Sequence, residues 1–113
     1  MMGRIYKILG RAEWEAARAV GRFEGSSVDL LDGYIHFSTA AQAQATARKW
    51  FAGEVDLVVL EIEADDLTDL RWEPARGGDL FPHLYRPLDT ALVRAVHEAP
   101  LDGQGLPQIG VLA

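Results

Sequence analysis

Asp32-Gly33-Tyr34-Ile35-His36-Phe37-Ser38-Thr39 decides how the rest of this chain is read. The Asp-Gly pair is a turn signal. The residues after it alternate as a strand does, with Tyr34, His36 and Ser38 on one face and Ile35 and Phe37 on the other. One face suits a core and the other a site. Thr39 is followed three residues later by Gln42, the spacing of a capping box, and Ala40 to Phe51 is rich in strong helix formers without Pro or Gly. The strand therefore delivers Ser38 and Thr39 to the start of a helix, where free N–H groups and the helix dipole favour an anion.

Upstream, Ile5-Tyr6-Lys7-Ile8-Leu9 closed by Gly10 reads as a first strand. Ala12, Ala16, Ala19 and Val20 then recur at helical spacing before Gly21, a helix stop. Gly25 to Asp29 has turn composition and leads through Leu30 and Leu31 to the Asp32-Gly33 turn. Downstream of Gly53, Val55 to Glu63 is the strongest strand signal. Leu57 and Val59 point one way and Val58, Leu60 and Ile62 the other, as in a central strand covered on both faces. Asp65 to Asp69 reads as a turn or one helical turn, and Leu70 to Glu73 as a short strand that Pro74 ends or confines to an edge. Thr90 to Glu98 reads as a late strand or a short helix, with the strand favoured. Pro100 to Ala113 reads as a loop whose apolar end packs on the body.

These elements make one α+β domain, and 113 residues suffice for one core. With 49% hydrophobic and 25% charged residues the composition is globular, which excludes disordered and collagen-like classes. The absence of cysteine excludes disulfides, thiolate nucleophiles and thiolate metal ligands. A net charge of -6 has the wrong sign for a phosphate backbone, so nucleic acid is not an expected partner. The apolar N-terminal run, about five residues, is too short for a secretion signal or a membrane span. A cytoplasmic protein without a membrane partner is expected.

A second chemically dense stretch comprises Trp72-Glu73-Pro74, Arg76-Gly77-Gly78-Asp79 and Phe81-Pro82-His83-Leu84-Tyr85. If it meets the first across a sheet, two histidines, a tyrosine, a glutamate and an arginine converge. His36 can orient a ligand hydroxyl or shuttle a proton, or it can simply fill space with its ring hydrogen-bonded. Phe81, His83 and Tyr85 share a face when extended, as a stacking platform or as cover for an edge. Trp72 and Glu73 point oppositely, so at most one faces the site. Glu73 can stabilise a developing positive charge or accept from sugar hydroxyls, or be a plain solvated or salt-bridged glutamate, and the Arg76 segment can approach a phosphate or serve as a plain turn. His36, His83 and His97 lack the spacing of metal ligands, so no metal is expected.

Ile5-Tyr6-Lys7, the Gly33 to Ser38 strand, Val58 to Ile62 with Ala64-Asp65 and Leu67 after it, and Phe81 to Tyr85 together closely resemble the small bacterial family called domain of unknown function 952, over nearly the whole chain. That family is similar in pattern to the ADP-ribosyltransferase superfamily, above all to the RNA 2'-phosphotransferases with their His-Val-His-Leu-Ser strand. Ile35-His36-Phe37-Ser38 matches its last four positions. The resemblance implies a split β-sheet core with two or three helices packed outside and a cleft between two small sheets. That cleft would bind NAD or ADP-ribose, with ribosyl transfer or hydrolysis as the reaction. It makes Glu73 and His36 the catalytic residues. Tyr6, Lys7, Tyr34, Ser38, Thr39, Trp72, Arg76, His83 and Tyr85 join His36 as ligand-binding residues. Tyr34 stands where the motif has its first histidine, and Asp32 where an arginine is expected. A non-catalytic binding module for a phosphorylated metabolite or a protein partner is the alternative, and a docking surface around Phe81 to Tyr85 a third.

Overall fold

In the computed structural model, which describes residues 3–75 and 77–109, the most apolar run of the chain lies inside the largest sheet. The elements run β1 (Arg4–Gly10), α1 (Arg11–Val20), β2 (Arg22–Phe23), α2 (Ser27–Asp32), β3 (Ile35–His36), β4 (Ser38–Thr39), α3 (Ala40–Trp50), β5 (Leu57–Glu63), β6 (Leu70–Pro74), β7 (Leu80–Leu84), β8 (Leu88–Asp89) and β9 (Val93–Glu98), with 3-10 turns at Ala64–Asp66 and Thr90–Leu92. One antiparallel sheet has the order β4-β1-β5-β9, a second pairs β2 with β8, and a third has the order β3-β7-β6. The architecture is α+β, as expected, and among the described residues it has three α-helices, one more than the local sequence signals mark.

β5 is central and apolar on both faces because each face meets a separate core. Val58, Leu60 and Ile62 join Ile5, Leu9, Trp14 and Ala17 with Ile35, Leu84 and Leu88 from the smaller sheets and Phe37 from the link between β3 and β4. Leu57 and Val59 join Tyr6, Ile8, Ala43 and Ala47 with Ile109 from the tail. The large sheet is thus covered by α1 and the small sheets on one side and by α3 on the other. Burial of each such side chain is worth about 1.5–3 kcal/mol, which makes β5 the spine of the fold. The strand begins at Leu57 and not at Val55, because Asp56 turns the chain at a φ of 57°.

Two local expectations are corrected. The Gly25 to Asp32 segment is not a plain turn, since Ser27–Asp32 is helical. The Ser26 amide donates to Asp29 Oδ2 at 2.9 Å, and Gly33, at a φ of 90°, closes the helix by donating to the Asp29 carbonyl at 2.8 Å. The expected Tyr34 to Ser38 strand is also two strands in two sheets. Ile35 and His36 pair with Leu84 and His83, whereas Ser38 and Thr39 pair with Tyr6 and Ile5 of β1.

The break has a cause in Pro82. Phe37 donates its amide to the Pro82 carbonyl at 3.0 Å. A proline has no N–H to return, so the reciprocal bond of an antiparallel pair cannot form. The ladder stops there and the chain crosses to β1. Toward β6 the strand is unaffected, and Trp72 remains opposite Pro82. Pro74 lies in β6, an edge strand, as expected.

Candidate functional site

On one face of the β3-β7-β6 sheet, alternation collects side chains from three separate segments. His36 and His83 are register partners across β3 and β7, and Arg71 lies opposite His83 across β6 and β7. Residues two apart on these strands share the face, so Arg71 brings Glu73 and His83 brings Tyr85. The Tyr34 ring sits among them. It stacks on His83 at 4.1 Å between centroids, tilts against His36 at 4.6 Å and against Tyr85 at 5.1 Å. His36, Glu73, His83 and Tyr85 converge as expected and Tyr34 joins them, while the expected arginine, Arg76, lies outside the described residues and Arg71 is the arginine on this face.

Each imidazole is oriented by a carboxylate. His83 Nδ1 lies 2.8 Å from Glu73 Oε1, and the Tyr85 hydroxyl donates to the same oxygen at 2.6 Å. The Tyr85 and His83 hydrogen bonds hold the Glu73 carboxyl below its ordinary range, and the Tyr85 phenol is raised in return. Glu73 is therefore a carboxylate at neutral pH. The Arg71 guanidinium lies 4.8 Å from the centre of the Tyr85 ring, within cation–π range.

His36 has two carboxylates. Its Nδ1 lies 2.6 Å from Asp29 Oδ1 and its Nε2 lies 2.9 Å from Asp32 Oδ2. Asp29 is 1% exposed and also accepts from the His36 amide, the Ser26 amide and the buried Lys7 ammonium, whose Nζ is 2.8 Å away. Burial pushes the Asp29 carboxyl up, but the His36 hydrogen bond, the Lys7 charge and the Ser26 amide outweigh it and hold it down to about 2. Burial draws the Lys7 ammonium down, and Asp29 holds it up. Gly25 is required for this close fit, because a Cβ there would come within 2.8 Å of the Asp29 Cβ.

The depressed Asp29 value sets an acid-stability window. The unfolded carboxyl takes its proton near pH 3.9, above the folded value, so the contribution is complete above that pH and falls as pH drops toward 2. Integrated, about 2 kcal/mol of stability is lost across that interval. Urea midpoints measured from pH 5 to pH 2 should show this fall in the wild type and a shallower one in an Asp29→Asn variant.

Other expected ligand-binding residues lie elsewhere. Lys7 is not free to meet a ligand, since its charge is buried against Asp29. Tyr6, on the opposite face of β1, belongs to the core under α3. Ser38 is buried with its hydroxyl 3.0 Å from that of Thr46, because the crossover at Phe37 takes it away from the His36 face. Thr39 and Gln42 cap α3 reciprocally, so these expected anion contacts are occupied by the chain itself. Trp72 packs against the main core, opposite Glu73. Arg76 lies outside the described residues, and its neighbours Ala75, Gly78 and Asp79 form the β6-β7 hairpin turn. The face also differs from a cleft between two sheets, since its side chains come from one sheet and the α2-β3 turn.

Asp29, Asp32 and Arg71 escaped the sequence reading. The Ser26 to Asp29 spacing matches an N-terminal capping signal, and alternation from Glu73 points back to Arg71. Asp32 is marked locally only as half of the Asp32-Gly33 turn.

Beside the stack a hollow of about 210 Å³, lined by Glu24, Leu30, Tyr34, Tyr85, Arg86 and Pro87, shares the two tyrosines. It is smaller than the ~300–1,000 Å³ of small-molecule pockets, so a nucleotide-sized ligand would lie partly in solvent. Among the described residues no group of three or more His, Asp or Glu side chains is placed to hold a metal ion, and no helix is long and apolar enough to cross a membrane.

The crystal structure of protein CC0527 from Caulobacter crescentus is similar over 95% of both chains, with 58% identity and a TM-score of 0.92. The solution structure of CC0527 gives 58% identity and a TM-score of 0.85 over 95% of this chain and 93% of that one. No curated protein sequence matches the chain. Residues 8–96 match the family described as "Protein of unknown function (DUF952)", and the chain belongs to that family.

Proposed function

We propose that the face formed by Tyr34, His36, Glu73, His83 and Tyr85 binds a nucleotide-like ligand, with NAD or ADP-ribose as the first candidates. The observation that carries this reading is the contact of one tyrosine ring with two imidazoles and a second tyrosine, drawn from segments almost fifty residues apart in sequence. Aromatic faces of this kind stack a base or a nicotinamide ring, and the carboxylates beside them accept from ribose hydroxyls. In this reading Glu73, held ionised by Tyr85 and His83, offsets positive charge that grows on a ribose as its base leaves. His36 and Tyr85 position the sugar. This is the chemistry that the resemblance to ADP-ribosyltransferases implies.

The alternative, binding without turnover, is favoured by one observation: both ring nitrogens of His36 already face carboxylates, which leaves no ready base. Calorimetric titration with NAD, ADP-ribose and adenosine, followed by magnetic resonance shifts at His36 and Tyr85, tests the common part. Binding with shifts at both residues is expected; no binding at millimolar ligand overturns it. Glu73→Gln separates the two versions. Loss of NAD turnover by about 100-fold or more at similar affinity supports transfer or hydrolysis, and absence of turnover in the wild type, with ligand bound, leaves the binding module.

A further inference from the structure

The two carboxylates on His36 are not equivalent. Asp29 is buried, at 1% side-chain exposure, and fixed by Lys7 and two backbone amides. Asp32 is 40% exposed at the last position of α2 and meets the imidazole through its other pole, Nε2, at 2.9 Å. Nδ1 faces the buried carboxylate and Nε2 the exposed one, so the imidazole lies between a permanent partner and a displaceable one. Charged or titratable groups around it are Lys7 from β1, Asp29 and Asp32 from α2, Arg71 and Glu73 from β6, His83 from β7, Tyr85 just after it, and Tyr34 beside it.

We propose that His36 Nε2 is the anion subsite of this face, and that Asp32 occupies it in the unliganded protein as an internal stand-in for a phosphate oxygen of the ligand. The inference rests on the nucleotide-binding reading for its ligand class. Asp29 with Lys7 is then a positioning pair: it turns the ring so that Nε2 points outward, and its burial keeps it in place while Asp32 swings away. An exposed charge pair of this kind is worth little, typically below ~1 kcal/mol, so an incoming phosphate displaces it readily. The site binds an anion at the expense of one surface contact.

Inorganic phosphate is the probe, titrated at constant pH and ionic strength while the His36 ring nitrogens are followed by magnetic resonance. In the wild type the His36 signal shifts on phosphate. In Asp32→Asn, which removes both the competitor and a like charge beside the phosphate, binding tightens about five- to tenfold. Asp32→Ala, with its melting temperature recorded, gives the same direction. Equal or weaker phosphate binding in both variants, or a shift confined to His83 or His97, overturns the proposal. Adenosine is titrated in parallel, and the gain for phosphate exceeds any gain for adenosine. If adenosine binds and phosphate is indifferent to Asp32, the subsite falls and the nucleotide reading stands. If phosphate behaves as described and no nucleoside binds, the reverse holds.

Discussion

Asp29→Ala is expected to lower the unfolding free energy by about 3–5 kcal/mol, because it leaves the buried Lys7 ammonium without its counter-ion. Small domains are stable by only ~5–15 kcal/mol, so this change takes a large share. Urea denaturation followed by circular dichroism measures it, and a loss below ~1 kcal/mol would show that Lys7 finds water or another partner. The double variant Lys7→Met with Asp29→Leu separates charge burial from positioning. A buried ion pair replaced by apolar groups of similar volume is often neutral or stabilising. That protein should recover the part of the loss that comes from the stranded charge, while the Ser26 amide, the His36 amide and His36 Nδ1 remain without their acceptor. A stable fold with a disordered His36 ring is the signature expected of a positioning pair.

Leu84→Ala is the second large effect. Leu84 is fully buried, lies opposite both Ile35 and Leu70 in the small sheet, and joins the main core. Truncation should cost about 2–5 kcal/mol. β3 is held to β7 by two register pairs, Ile35 with Leu84 and His36 with His83, so the same change should loosen the histidine pairing. Denaturation gives the first number, and exchange of the Phe37 amide, which donates to the Pro82 carbonyl of β7, gives the second. Unchanged exchange at the Phe37 amide with the expected stability loss would show that the face is held by Asp29, which takes the His36 amide, and not by the strand pairing.

The parts of the fold legible in the sequence are those fixed by local chemistry. The two-faced apolar run of β5, the Gly21 stop of α1 and the Thr39 to Gln42 capping box are each complete within a few residues. α2 was hidden because Ser26, Ser27 and Asp29 favour turns and caps alike, and because the partner that makes Asp29 structural, Lys7, lies 22 residues upstream. The Phe37 crossover was hidden for a similar reason: its cause is Pro82, distant in sequence. The face itself was legible as Tyr34, His36, Glu73, His83 and Tyr85 because alternation survives wherever strands form. Ser38 was misplaced because alternation cannot report a change of sheet, Thr39 because its helix-start position is used by its own capping box, and Tyr6 and Lys7 because the resemblance that pointed to them reports neither a core face nor a buried countercharge.

The imino acid at position 82 acts as a zip-stop. With any residue that carries an amide hydrogen there, the two strands could close one tooth further, keeping Ser38 beside β7 and delaying the point where Thr39 starts its helix. The length of the histidine strand and the first turn of α3 are therefore set together by a single missing hydrogen on a neighbouring strand.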